Sequence, residues 1–322
     1  KLKLKDFFVQ WLAEQERRVK PGTASYYDYY TRRYINPHLG GVWLDKITPL
    51  QIQAMMGALA DTSGVNTANK CRGVLSTALK QAVRWQLIPR NPVEAVSKFK
   101  EKKREMSIWT TAEAMHFLKV SAGHRHFAAF YVAMATGLRC GELLGLHWSD
   151  IKGNVLHIRH NLVHIRAKDG QKGQLLIQDT PKTPSGVRRV VISSDVLDVL
   201  KGHRQRQESE RAFLGEAWQE SGLVFVSEVG TPLYPRNFTR VWYGLLDKAG
   251  VTKVRLHDLR DLHVSLLVKH GLDPRTIADR IGHSDPAFTL RQYSHAFEEQ
   301  RQAAAVGLMD LLSPGTTPQP PN

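Results

Sequence analysis

The sequence predicts a mostly helical protein of two domains, with a small antiparallel β-sheet set into the second. Three observations carry this. Apolar residues recur at helical spacing through most of the chain. The period changes to strand-like alternation only between residues 154 and 192. A run without apolar periodicity, SKFKEKKREM at 97–106, separates two stretches that are each long enough for a core of their own, given 322 residues, 42% hydrophobic content and the soft rule of about 150 residues per domain. The expected division is a helical domain over 1–97, a basic linker over 98–106, a second domain over 107–312 and a disordered tail over 313–322.

The elements follow in order. LKDFFVQWLAEQE reads as a first helix, broken at Pro21 and Gly22. The next helix is expected to start at Thr23 and to stop across Pro37 to Gly41. ITPLQIQAMMGALA has Thr48 as its cap and Pro49 in its first turn. VNTANKCRGVLSTALKQAVRWQLI keeps apolar residues at helical spacing and leaves Lys70, Arg72, Lys80 and Arg84 for a polar face. Beyond the linker, Thr111 with Glu113 gives an approximate capping box. AAFYVAMATGLRCGELLGLHW reads as two helical pieces broken at Gly137. NVLHIRHNLVHI, QLLIQDT and GVRRVVI alternate as strands, with TPKTPS as a turn, and together predict one small antiparallel sheet. Helical patterns resume after Ser194 and run through RQAAAVGLMDLL, until SPGTTPQPPN ends the chain.

Charge points to a polyanionic partner. Lys and Arg total 45 against 30 Asp and Glu, a net charge of +15 with a pI near 9.9. Residues 1–100 hold 16 of the cations and 7 of the acids, so the first domain is expected to grip hardest. Cys71 and Cys140 stand far apart in helical patterns, which indicates neither a disulfide framework nor a zinc knuckle and fits a reducing bacterial cytoplasm. No apolar run approaches the roughly 18 residues of a membrane span, and no signal peptide opens the chain, so no membrane partner is expected. The missing initiator Met suggests a fragment or a processed chain; a further DNA-binding domain before Lys1 would favour a mobile-element role.

The chemistry concentrates near the carboxy terminus. GHSDPAFTLRQYSH puts His283 ten positions before Tyr293, and HDLRDLHVSLL puts His257 and Arg260 one helical turn apart. A tyrosine phenol, with a pKa near 10, is only about one part in a thousand phenolate at pH 7. To attack a phosphodiester it needs cations on the nonbridging oxygens, a group to take its proton and an acid for the leaving oxygen. ATGLRCGELLGL adds Arg139 just past a glycine break, with Glu142 placed to orient its guanidinium. Two planar guanidiniums bind two oxygens of one phosphate. Lys182 lies in the turn PKTPSG, where an ammonium can reach into a groove. His263 falls on a different part of its helix, for packing or a phosphate contact. The histidines lack a cysteine or a nearby carboxylate in sequence to complete a ligand set, so no metal site is expected. Tyr26, Tyr27, Tyr29, Tyr30 and Tyr34 read as packing or stacking residues.

Taken in order, these motifs resemble the tyrosine recombinase, or phage integrase, family. The resemblance makes Arg139 the first arginine and Glu142 its accompanying acid, Lys182 the hairpin lysine, His257 and Arg260 the HDLR pair, His283 the histidine after glycine and Tyr293 the nucleophile. It covers most of the chain, since NKCRGVLSTALKQAVRWQLIPRNPVEAV also looks like the family's core-binding domain. It implies a two-domain clamp on double-stranded DNA attachment sites. Within it, Tyr293 forms a 3′-phosphotyrosine, Arg139 and Arg260 stabilise the transition-state charge, His283 donates a hydrogen bond, His257 takes or relays the tyrosine proton and Lys182 protonates the 5′ oxygen. It further implies a homotetramer on DNA, in which residues 301–312 dock on a neighbour, accessory directionality or DNA-bending proteins, and no cofactor. That last expectation agrees with the lack of a P-loop or GxGxxG pattern. Many relatives follow HDLR with His-Thr, where this chain has Asp261 and Leu262. The rival readings are a type IB topoisomerase and a noncatalytic DNA-binding protein on the same fold; the full set of six catalytic candidates argues against the second. Lys70, Arg72, Lys80 and Arg84 are the candidates for reading DNA.

Overall fold

The computed structural model describes residues 1–101, 107–166, 173–178, 187–283 and 285. The chain divides into two compact units, residues 1–105 with 164–174 and residues 106–163 with 175–322. Lys182, Tyr293, the tail and the 301–312 helix predicted from sequence lie outside the described residues.

The first unit is a helical bundle. Helix α1 (Leu4–Arg18) buries Leu4, Phe7, Phe8 and Trp11, one stripe at helical spacing. That stripe meets Ile52, Met55, Met56 and Leu59 of α4 (Pro49–Ser63) and Cys71, Val74, Leu75, Ala78 and Leu79 of α5 (Val65–Arg84) in one core. Each such large side chain contributes about 1.5–3 kcal/mol on burial, and Trp11→Ala would cost about 3–5 kcal/mol. Helix α4 starts as its sequence indicates: Gln51 N donates to Thr48 Oγ1 at 3.3 Å, Thr48 N donates to Gln51 Oε1 at 2.9 Å, and Pro49 occupies the first turn.

Helix α2 (Pro21–Tyr30) begins two residues before the expected Thr23, because a proline at the first helical position gives up only an N–H that has no helical partner anyway. It runs through a π-helical stretch, Thr31–Ile35, into the short α3 (Asn36–Leu39). The tyrosines here pack on one another and on α1, with ring centroids 4.5 Å apart for Tyr26 and Tyr30 and 5.0 Å for Tyr27 and Trp11. Arg166 stacks on Tyr29 at 3.8 Å. Asn69 ties residues 99–101 to α5: its amide donates to Phe99 O at 3.0 Å and Glu101 Oε1 at 2.8 Å, and Phe99 N donates back to Asn69 Oδ1 at 3.0 Å.

The second unit sets helices around short strands. Helix α6 (Thr111–Ser121) is capped by Thr110, one residue before the expected Thr111, which makes a reciprocal box with Glu113. Hydrogen bonds from Thr252 and Thr110 hold the Glu113 carboxyl at about 2. Trp109, Phe117 and Phe130 pack with Phe238 and Trp242 of α10 (Pro235–Ala249), and both buried indoles find carbonyls, Thr252 O at 2.7 Å and Val254 O at 2.9 Å.

In place of one sheet there are two: β1 (Ile151–Lys152), β2 (Val155–Ile158) and β5 (Arg188–Val191) pair antiparallel in the order β1-β2-β5, and β3 (Asn161–Ile165) pairs with β4 (Gln174–Gln178). Helix α7 (Phe127–Thr136) stops at Gly137, as expected, and α8 (Cys140–Leu144) follows. Gly137 has φ +64°, and a Cβ there would lie 2.9 Å from the His263 ring, so no other residue fits. The remaining helices are α9 (Ser194–Leu214), α11 (Asp258–Lys269) and α12 (Pro274–Ile281).

Candidate active site

The site in the second unit is built on the end of α12. A helix leaves its last carbonyls without helical partners and carries partial negative charge there. Three arginines from three other elements take them in succession. Arg188 Nε donates to Arg280 O at 2.9 Å, Arg260 Nη2 to Ile281 O at 2.5 Å and Arg139 Nη2 to Gly282 O at 3.2 Å. Arg260 also donates from Nη1 to Gly137 O at 2.7 Å, so the two glycine turns are bridged by one guanidinium that is 3% exposed.

Arg139 stands just before α8, and Glu142 in its first turn reaches back to it. Arg139 N donates to Glu142 Oε2 at 3.0 Å and Arg139 Nη1 to Glu142 Oε1 at 2.8 Å, the orientation the i, i+3 spacing predicts. The Arg139 side chain keeps 40% of its surface open and Glu142 only 4%. Burial works to raise the Glu142 carboxyl, but the hydrogen bond and charge of Arg188, with Arg139 behind them, prevail and hold it below the usual carboxylate range.

His283 follows directly. Gly282, at φ +71°, closes α12 in the left-handed conformation, and His283 N donates to Ala278 O at 2.9 Å, so the residue after the helix is fixed by its own main chain. Burial, then the charges of Arg260, Arg139 and Arg188, push its imidazole down to about 4, which keeps it neutral at pH 7. His257, at the start of α11, is also lowered by burial, against the opposing charge of Asp261. Asp261 is buried and acts electrostatically on His257. The Asp258 carboxylate is held by Arg255 through its main-chain N at 2.6 Å and its Nε at 2.8 Å.

Thus Arg139, Glu142, Arg260 and His283 come together around one helix end, and His257 lies within electrostatic reach of His283. Lys182 and Tyr293 lie outside the described residues. His263 supports packing: it is buried, lowered to about 3 by burial first, and accepts from Arg280 Nε at 3.2 Å. Arg280 in turn donates to Val191 O at 2.9 Å and Ala135 O at 3.3 Å.

Sequence reasoning missed Arg188. It lies within the run TPKTPSGVRRV, which sequence reasoning reads only for Lys182 and for strand alternation; Val190 and Ile192 face the core, which puts Arg188 on the inward parity of β5, while Arg189 and Val191 are exposed.

Of the four DNA-reading candidates, Lys70, Lys80 and Arg84 are exposed on one face of α5, and Lys80 and Arg84 border a groove with Trp11, Gln15 and Arg18 of α1. Arg72 is turned away. At 100° per residue it lies about 200° from Lys70, and it is bound to the chain beyond α5, with Nε donating to Val96 O at 2.6 Å and Nη2 to Val93 O at 3.2 Å.

One cluster among the described residues combines metal-ligand types. Potential ligand atoms of His147, Asp150 and His160 lie within 4.8 Å of one another, with His160 brought back by the connection between β2 and β3. Internal contacts already engage the first two: Asp150 Oδ2 accepts from His147 N at 3.2 Å, Arg159 lies 3.8 Å from Oδ1, and His147 Nδ1 meets Gly145 O at 3.1 Å. No helix among the described residues is long and apolar enough to cross a membrane.

Comparison with known proteins identifies the family. Residues 110–300 match the phage integrase family, and residues 3–59 match the phage integrase N-terminal SAM-like domain. A tyrosine recombinase XerC-like protein of Caldanaerobacter subterraneus subsp. tengcongensis is 31% identical over 325 residues, covering 96% of this chain and 83% of the relative. The ICEBs1 integrase of Bacillus subtilis is 31% identical over 305 residues, covering 94% and 81%. In fold, the chain resembles the Tn1549 transposon integrase in complex with a circular intermediate DNA, with a TM-score of 0.76 at 20% identity over 97% of this chain and all of that one. It also resembles a lambda integrase dimer bound to a core site, with a TM-score of 0.65 at 20% identity over 90% of this chain and 95% of that one. With both halves matched in order and relatives aligned along nearly its whole length, the chain belongs to the phage integrase family of tyrosine recombinases.

Proposed function

We infer that this chain is a site-specific DNA recombinase that breaks and rejoins duplex DNA, integrating or excising a mobile element. The observation that carries the reading is the convergence of Arg139, Arg260 and His283 on the α12 terminus, inside the segment that matches the integrase family. The relatives named as integrases of an integrative element and of a transposon favour a mobile element over chromosome resolution.

In the proposed reaction the Tyr293 oxygen attacks the scissile phosphorus and gives its proton to His257. The bond to the 5′ oxygen breaks and that oxygen takes a proton from Lys182, leaving a 3′-phosphotyrosine and a 5′ hydroxyl. Arg139 and Arg260 carry the charge that grows on the nonbridging oxygens, held in place before DNA arrives, and neutral His283 donates one hydrogen bond. A 5′ hydroxyl from a partner duplex then reverses the step, since the covalent link conserves the phosphodiester. Cytoplasmic residence, a synaptic tetramer through residues 301–312 and accessory directionality or DNA-bending proteins belong to the same proposal. A lambda integrase tetramer bound to a Holliday junction supports the tetramer.

The test is a nicked suicide duplex carrying the site that the protein protects from nuclease. The reading expects a covalent adduct, absent in Tyr293→Phe, and strand exchange between two duplexes. Failure to form an adduct on a protected site would return the chain to a noncatalytic DNA binder. An adduct with relaxation of supercoils by the monomer and no exchange would make it a topoisomerase.

A further inference from the structure

We propose that Arg188 is a positioning residue of this site, setting Arg139 and His283 in place through Glu142 and the α12 turn; the inference rests on the recombinase reading above. Arg188 is 6% exposed in its side chain and reaches from the end of β5 to two other elements at once. Its Nη2 donates to Glu142 Oε2 at 2.8 Å and its Nη1 to Glu142 Oε1 at 3.2 Å, while Nε donates to Arg280 O at 2.9 Å. Glu142 is therefore filled. Oε1 accepts from Arg139 Nη1 and Arg188 Nη1, Oε2 from Arg139 N and Arg188 Nη2, so each oxygen has two donors.

The arrangement has an electrostatic consequence. Arg139 and Glu142 alone form a neutral pair, which would offer a phosphate little net attraction. With Arg188 the cluster carries one net positive charge, and its open edge is Arg139, 40% exposed, because Arg188 is buried behind the carboxylate. It has a geometric consequence as well. Arg188 holds Arg280 O, and Arg139 holds Gly282 O two residues on, so the β5 and α8 anchors fix the turn that delivers His283. The turn has closed down on this contact: a Cβ at Gly282 would meet the Arg188 guanidinium at 3.0 Å. A lysine has no planar fork to span both carboxylate oxygens and a carbonyl, so it keeps the charge and loses the geometry.

The experiment compares wild type, Arg188→Lys and Arg188→Gln in single-turnover adduct formation on the nicked duplex, with DNA affinity and thermal melting measured on the same preparations. Misplacement of a reactive group by a distant change costs about 100-fold, and a loss of about that size in Arg188→Gln, with affinity within about threefold of wild type, is the expected result. Arg188→Lys should recover part of the rate. Removing a charge that depresses His283 should also shift the acid limb of the pH–rate profile upward in Arg188→Gln. Either of two results would overturn the proposal: a folded Arg188→Gln that cleaves at the wild-type rate, or a rate loss matched by an equal loss of affinity. Should Arg188→Gln not fold, Arg188→Lys decides, since an unchanged rate there equally removes the geometric role. If wild type itself forms no adduct, the recombinase reading falls and this proposal with it; if wild type reacts and the variants react alike, only the proposal falls.

Discussion

The two units use positive charge in opposite ways. On α5 of the first unit, Lys70, Lys80 and Arg84 are exposed along one face. In the second unit Arg139, Arg188 and Arg260 are bound to main-chain carbonyls and, for two of them, to Glu142. The contrast separates affinity from geometry. Exposed cations attract a phosphate backbone at long range and release counterions when they meet it, whatever the sequence. Arginines locked in place have given up that freedom and can stabilise charge at one point in space.

The contrast can be broken most sharply at Glu142. Glu142→Ala removes the carboxylate between two guanidiniums, and leaving buried charge uncompensated costs about 3–5 kcal/mol; urea unfolding should show a loss of that order, with adduct formation down by at least about 100-fold. A folded, fully active Glu142→Ala would mean the locking is incidental. The complementary change, Lys70, Lys80 and Arg84 all to Gln, should leave unfolding unaltered and reduce the slope of log affinity against log salt by about 2.7, from roughly 0.9 per phosphate contact. If melting falls instead, the first unit's cations are structural too.

Arg72 tests the boundary inside one helix. Arg72→Gln loses bonds to Val93 O and Val96 O, so stability should drop by about 1–3 kcal/mol while the salt slope stays put. A further difference is acid sensitivity of the second unit. His126 and His283 are held near 4 and His263 near 3, all below the ordinary value, so the unfolded chain takes up protons first as pH falls below about 6.5. Stability is therefore complete above that pH and declines toward pH 4. Melting followed by hydrogen exchange in the second unit should show the decline begin there, whereas the contribution of Glu113, held at about 2, is lost only on further acidification from about 4.5.

Features set by short sequence separation were legible in advance. Arg139 with Glu142, the Thr48 cap with Pro49 behind it and the break at Gly137 each involve neighbours within one helical turn, where spacing fixes geometry. Register errors arose where adjacent residues compete for one role, as with Thr110 and Thr111 at the α6 cap, or where a proline that opens a helix reads as a break, as at Pro21. The single sheet expected from three alternating runs became two because alternation marks strands without naming their partners. Arg72 was assigned to the polar face by charge; its angular position, about 80° from Lys80, does not set it apart, and its bonds to Val93 O and Val96 O could not be read from residue type. The three arginines on consecutive carbonyls could not be read at all, since main-chain acceptors leave no trace in residue type and the donors are 49 to 121 residues apart in the chain.

The arginine-capped end of α12 also bears on what the protein gains from its substrate. Several like charges are held close together by folding, and their ordering entropy is spent before any DNA is present. On the proposed reading, a phosphate group in the site would relieve the repulsion among these charges. Any anion that binds the folded site and not the unfolded chain shifts the folding equilibrium by mass action. On that reading, a phosphodiester in this site stabilises the folded protein as well as meeting its reactive groups.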